Sequence, residues 1–181
     1  HRDLHLSIRR QRQMCIRDRI KNDAMDMIVQ KATELGIYKI IPVISEFSIV
    51  KLSDDRIARR VAHWEKISAS ACEQSGRHQP LIIEKPRSLE PTLSSTPEAH
   101  LKLVLQPPNI EYLPEANLPT NPPTGITVLI GPEGGLSERD LYTAHRAQFA
   151  GVTLGPRVMR TETATLAACV LLQQQWGDLS Y

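Results

Sequence analysis

Two stretches in the last third of the chain decide the fold. The first is Ile126-Thr127-Val128-Leu129-Ile130-Gly131-Pro132-Glu133-Gly134-Gly135-Leu136-Ser137-Glu138-Arg139-Asp140. The second is Val152-Thr153-Leu154-Gly155-Pro156-Arg157-Val158-Met159-Arg160-Thr161-Glu162-Thr163-Ala164. In each, an apolar, β-branched run reaches glycine and then passes into a helical pattern. Ser137, with Asp140 three positions on, is a helix start with a hydroxyl cap and a reciprocal carboxylate. The second strand, Val152 to Leu154, breaks at Gly155, and a helix follows from about Thr163 to Trp176. Glycines at such junctions let backbone N–H groups approach a ligand, and the unpaired N–H groups of a helix start attract acceptor atoms. The pair of segments marks a ligand site.

Working outward, Met25, Ile28, Val29, Ala32 and Leu35 recur at helical spacing from Ala24, with Asp23 to cap the start and Gly36 to end the helix. Ile37 to Ile44 reads as a buried strand and Phe47 to Val50 as a short extended piece. A long helix is expected over Asp54 to Gln74, with Ile57, Val61, Trp64, Ile67 and Ala71 inward and Gly76 as its stop. Leu81 to Ile83 and Leu101 to Leu105 are further strands. Prolines and asparagines make Gln106 to Gly125 a surface loop. The alternation predicts an α/β domain with a mainly parallel sheet and helices on both faces, its site at the carboxyl ends of strands.

Composition narrows the function classes. Hydrophobic content of 41% and mixed charge argue for a globular domain, and the net charge of +2 is too small to announce a nucleic-acid partner by itself. Three widely separated cysteines suggest a reducing compartment and neither a disulfide framework nor a zinc site. No apolar run is long enough to span a bilayer, and the expected location is cytoplasmic. The histidines have no ligand spacing, so no metal is expected. A P-loop and a G-x-G-x-x-G fingerprint are both missing. Residues 1–19 lack a period and read as a leader outside the fold, non-native or disordered. Gln11 to Arg19 looks like a translated sequencing adapter, and a basic RNA-binding arm is the alternative. The domain is then residues 20–181.

Four ordered segments, MDMIVQKATELGI (residues 25–37), ACEQSGR (71–77), IGPEGGLSERD (130–140) and LGPRVMRTETATLAA (154–168), resemble the catalytic domain of bacterial small-subunit (16S) ribosomal RNA uridine N3-methyltransferases of the SPOUT class. The resemblance covers roughly Lys21 to Tyr181. It implies a trefoil knot at the carboxyl end, S-adenosyl-L-methionine in the knot loops, and a homodimer whose interface lies beside the cofactor. The family's amino-terminal PUA-type barrel has no counterpart here, nor does a first strand before Lys21, so the sheet is expected to lack one strand. The substrate implied is ribosomal RNA or the small ribosomal subunit. A related enzyme acting on tRNA or a ribose hydroxyl is an alternative, as is a cofactor-binding fragment without catalysis.

On this reading Leu105, Gln106, Ile130, Gly131, Pro132, Glu133, Gly134, Gly135, Leu154, Gly155, Arg157, Val158, Arg160, Thr161 and Thr163 hold the cofactor, largely through backbone groups. Methyl transfer to uridine N3 needs a held electrophile, a nitrogen stripped of its proton, and in-line geometry. Arg160 is the candidate for stabilising the oxyanion that develops on the base, and Glu162 or Glu133 the candidate general base. Lys21, Lys31 and Arg77 are candidate RNA contacts.

Overall fold

The computed structural model describes residues 11–17, 22–44, 53–108, 113–132 and 134–179, with the backbone alone described for residues 11–17 and 22–23. Among the described residues seven strands form one sheet: β1 (Gln11–Arg17), β2 (Lys39–Ile44), β3 (Ile82–Ile83), β4 (Arg87–Ser88), β5 (His100–Leu105), β6 (Gly125–Ile130) and β7 (Ala150–Val152). The same residues hold five helices: α1 (Asn22–Glu34), α2 (Asp54–Ser75), α3 (Leu89–Ser94), α4 (Glu138–Arg146) and α5 (Thr161–Trp176). The strand order is β3-β2-β1-β6-β5-β7, with β4 also beside β2, and every pairing is parallel. Parallel strands need crossovers, and these cover both faces.

Strand β6 shows why. All six of its residues are buried, so its two sets of alternate side chains need separate apolar covers. Ile126, Val128 and Ile130 join one core with Met25, Ile28 and Ala32 of α1, Trp64 of α2, and Cys169 and Trp176 of α5. Leu129 joins the other with Val104, Leu93 of α3, Leu141 and Ala144 of α4, and Phe149. The expected parallel sheet with helices on both faces is what the chain forms. Within the first core, burial pushes the Cys169 thiol up to about 12, so this sulfur is protonated and inert.

The expectation that residues 1–19 stand outside the fold is corrected for Gln11–Arg17. This segment is β1, in the middle of the sheet, and no strand is missing there: Gln13 to Arg17 pair with Lys39 to Val43, and Gln11 to Ile16 with Gly125 to Ile130. The physical reason is that ladder bonds use the main chain, so a sequence without a clean period still satisfies the facing edges of β2 and β6. Boundaries elsewhere shift by a few residues. Strand β7 lies at Ala150–Val152 rather than 152–154, because it pairs with Leu103 to Leu105 of β5. Strand β4 and α3, around Pro91, were not expected, and the extended piece at 47–50 lies outside the described residues. The proline-rich stretch is no plain surface loop. Leu113 is buried, Gly151 N–H donates to the Pro114 carbonyl at 2.8 Å, and Ala116 N–H donates to the Gly151 carbonyl at 2.8 Å. Strand β7 is thus flanked on one side by β5 and on the other by the chain that leaves β5.

Helix α1 ends inside the protein, and its last carbonyls need donors. Gly36 takes the left-handed conformation at φ 75°, which lets the Ile37 N–H return to the Ala32 carbonyl at 2.9 Å. Arg77, just beyond α2, donates from Nη1 to the Thr33 carbonyl at 2.7 Å and from Nη2 to the Ile37 carbonyl at 2.6 Å. Gln173 of α5, fully buried, donates from Nε2 to the Leu35 carbonyl at 2.5 Å. A Cβ on Gly36 would lie 2.7 Å from that nitrogen. Arg77→Ala is expected to destabilise the fold by about 2–4 kcal/mol, because two carbonyls at a largely enclosed helix end lose a charged partner. Denaturant unfolding measures it, and Lys at this position should rescue poorly since one ammonium lacks the fork that reaches both carbonyls.

At the amino end of the sheet His100 donates to or accepts from Thr127 Oγ1 at 3.1 Å, and a Cβ on Gly125 would collide with its ring. Burial, then the Lys102 charge, then the Lys39 charge hold its pKa below the ordinary 6.5. The unfolded chain therefore takes up this proton first as pH falls. The stability linked to His100 is complete above 6.5 and declines as pH drops through the lowered folded value. Unfolding midpoints followed between about pH 5 and 8 should show this decline, and His100→Gln should flatten it.

Candidate functional site

The two glycine-bearing segments meet at the carboxyl ends of β5, β6 and β7. After β6 the chain turns sharply. Gly135 N–H donates to the Pro132 carbonyl at 2.8 Å, Gly135 adopts φ 76°, and a Cβ on Gly131 would lie 3.1 Å from Leu136 Cγ. The turn delivers Ser137, whose hydroxyl accepts the Asp140 N–H at 3.2 Å while Asp140 Oδ2 accepts the Ser137 N–H at 2.9 Å. This is the capping box read from the sequence, and it starts α4. After β7, Gly155 turns at φ 74° and the chain runs to α5, whose N-cap position is Arg160.

A hydrogen bond joins the segments directly. Thr161 Oγ1, on a residue only 4% exposed, donates to the Gly131 carbonyl at 3.1 Å. Because β-branched threonine is stiff at χ1, the bond fixes the first turn of α5 against the end of β6. Between the segments lies a cleft lined by Leu105, Gln106, Pro107, Pro108, Ile130, Gly131, Pro132, Gly135, Leu136, Leu141, Leu154, Arg157, Val158, Met159, Thr161 and Ala164. Its walls are largely apolar, with main-chain polar groups at the glycines. Such a lining suits a flat, partly polar ligand held by a few fixed groups.

Ten of the residues expected to hold a cofactor line this cleft: Leu105, Gln106, Ile130, Gly131, Pro132, Gly135, Leu154, Arg157, Val158 and Thr161. Gly134, Gly155, Arg160 and Thr163 are exposed and stand outside its lining, and Glu162 is half-buried in the first turn of α5, also outside the lining. Glu133 and Lys21 lie outside the described residues. The lining residues missed are Pro107, Pro108, Leu136, Leu141, Met159 and Ala164. Met159 and Ala164 sit inside the second quoted segment, so the signal was present. Nothing local marks Leu141, which reaches the cleft from α4.

Of the candidate RNA contacts, Lys31 pairs with Glu34 at 2.9 Å one turn along α1. Arg77, expected to meet phosphate, spends its donors on the Thr33 and Ile37 carbonyls and belongs to the helix clamp. Among the described residues no group of three His, Cys, Asp or Glu side chains is arranged for a metal, and no helix is long and apolar enough to cross a membrane.

A parallel sheet whose glycine turns and a helix start enclose a cleft at the strand ends defines an α/β ligand-binding domain of the open-sheet class. Residues 14–173 match the RNA methyltransferase domain family, and the chain belongs to that family. A ribosomal RNA small subunit methyltransferase E of Buchnera aphidicola from Schizaphis graminum is 36% identical over 163 residues, which span 88% of this chain and 64% of that protein. The structure of a ribosomal RNA small subunit methyltransferase E from Neisseria gonorrhoeae bound to S-adenosyl methionine superposes with a TM-score of 0.81 at 38% identity, covering 94% of this chain and 68% of that one. A Legionella pneumophila methyltransferase with bound S-adenosylmethionine gives 0.81 at 35% identity, covering 93% and 68%. The chain thus spans a little under two thirds of the length of the Buchnera relative.

Replacing Thr161 by Val keeps the volume and removes the bond between the two segments. The expected loss is about 1 kcal/mol in denaturant unfolding, with Thr161→Ser retaining most of it.

Proposed function

We propose that this chain carries the S-adenosyl-L-methionine site of an RNA methyltransferase that acts on uridine N3 of 16S ribosomal RNA in the small subunit. The observation that carries the reading is the Thr161 to Gly131 hydrogen bond, which brings both glycine segments into one cleft of apolar walls and main-chain polar groups. A sulfonium ligand fits such a lining: fixed carbonyls favour its positive charge, and the one cationic side chain among the described residues of the lining, Arg157, is exposed. Leu105, Ile130 and Leu154 would flank the adenine, and Gly131 and Gly135 would supply main-chain groups. When bound, the cofactor supplies an electrophilic methyl group.

The chain's own residues would do the rest. Arg160, exposed at the amino end of α5, offers a permanent positive charge to the oxyanion that develops on the uracil. Glu162, two residues on and half-buried, is the candidate to take the N3 proton, with Glu133 as the other. Lys21 and Lys31 are assigned to phosphate contacts. Strand β7 between β5 and the Pro114–Ala116 segment supports a trefoil knot, since the two flanking segments belong to one continuous loop. A homodimer is supported by α5, which leaves Val170 and Leu171 exposed, and by Val158, 78% exposed beside the cleft. We assign the protein to the cytoplasm, where the small subunit is assembled.

Incubation with S-adenosylmethionine and small-subunit RNA, followed by mass-spectrometric mapping, tests the reading. A methyl group on uridine N3 supports it, while methylation of tRNA or a ribose hydroxyl selects the related activity. Absence of cofactor binding by a folded sample removes both. Arg160→Ala is expected to lower kcat by about a hundredfold, the scale of losing one oxyanion donor, while the cofactor Kd stays within about threefold. Equal losses in both quantities would overturn the role given to Arg160.

A further inference from the structure

Gln106 directly follows β5 at the cleft, yet its side chain bonds to the fold. Its Oε1 accepts the Leu113 N–H at 3.3 Å, and its carboxamide lies over Gly151, where a Cβ would stand 2.5 Å from both Cδ and Nε2. Its main-chain N–H donates to the Val152 carbonyl at 3.0 Å. Gln106 therefore holds β7 through its backbone and, across β7, the returning chain at Leu113 through its side chain. Between these two points the chain leaves as Pro107 and Pro108, which form part of the cleft wall.

Proline has no N–H, so neither residue can fix the wall with a donor of its own. Their position is inherited from the residues that hold the ends of the segment. Gly151 has no room to yield either, because its N–H bonds to Pro114 and its carbonyl accepts from Ala116, both at 2.8 Å. We propose that the Gln106 carboxamide is a positioning brace, seated in the space that Gly151 leaves empty, which sets the Pro107–Pro108 wall of the methyl-donor pocket without itself needing to touch the ligand. This rests on the reading of the cleft as the S-adenosylmethionine site. It also explains the glycine in β7, where a β-branched residue would otherwise be favoured.

The test combines cofactor calorimetry with amide hydrogen exchange on four variants. Gln106→Leu keeps the side-chain bulk and removes the acceptor. It should weaken S-adenosylmethionine binding roughly five- to tenfold, the scale of one hydrogen bond, and speed exchange at the Leu113 amide. Gln106→Glu keeps an acceptor and should preserve the protection of the Leu113 amide. Gly151→Ala, outside the cleft lining, should displace the carboxamide and copy Gln106→Leu. The double variant should be no worse than Gly151→Ala alone, because both changes act through one group.

Unchanged Leu113 exchange in Gln106→Leu would overturn the brace. So would additive losses in the double variant, or faster Leu113 exchange with unaltered affinity. If the unsubstituted protein binds no S-adenosylmethionine, the cofactor reading fails, and the Leu113 exchange still decides whether the brace exists.

Discussion

Helix α5 is fastened at both ends by side-chain bonds to main-chain carbonyls, and the rest of the architecture depends on that double attachment. At its start Thr161 holds the Gly131 carbonyl, and near its end Gln173 holds the Leu35 carbonyl. The first bond joins the helix to the glycine turn after β6. The second joins it to the buried carboxyl end of α1, which Arg77 grips from the side of α2. Three helices on one face of the sheet are thereby locked around one set of carbonyls. Buried carbonyls are costly to leave bare, so the arrangement is specified more tightly than apolar packing alone would require.

The cleft inherits its shape from this frame. Its floor is the carboxyl edge of β5 and β6, one wall is the turn that leads to the capped start of α4, and the other is the segment that enters α5. Because both walls are turns anchored by backbone geometry, the lining can stay apolar while main-chain groups remain available at the glycines. Arg160 and Glu162 follow from the same placement: they fall where α5 begins, outside the enclosed lining but next to it in sequence.

Much of this was legible in the sequence because it is local. The Ser137–Asp140 cap, the left-handed stops at Gly36 and Gly76, and the largely apolar β6 each announce themselves within a few residues. What was not legible depends on distant partners. Arg77 looks like a surface cation in its own neighbourhood, and only the fold shows that the carbonyls of Thr33 and Ile37 await it. Strand β1 has no pattern of its own, because its place is decided by the open edges of β2 and β6. Leu113 sits in a proline-rich stretch with every mark of a loop, yet it is buried in the second core. The short α3 and β4 were missed because elements of so few residues leave too little periodicity to read.

The position of β1 also governs the order in which the molecule can be built. Gln11 pairs with Gly125, so the strand at the centre of the sheet has only β2 as a neighbour until the chain has been made well past its midpoint. Until then its other edge exposes unpaired main-chain donors and acceptors, a template for wrong partners. Pairings this distant in sequence pay their loop-closure entropy before they return any contact energy, which slows folding.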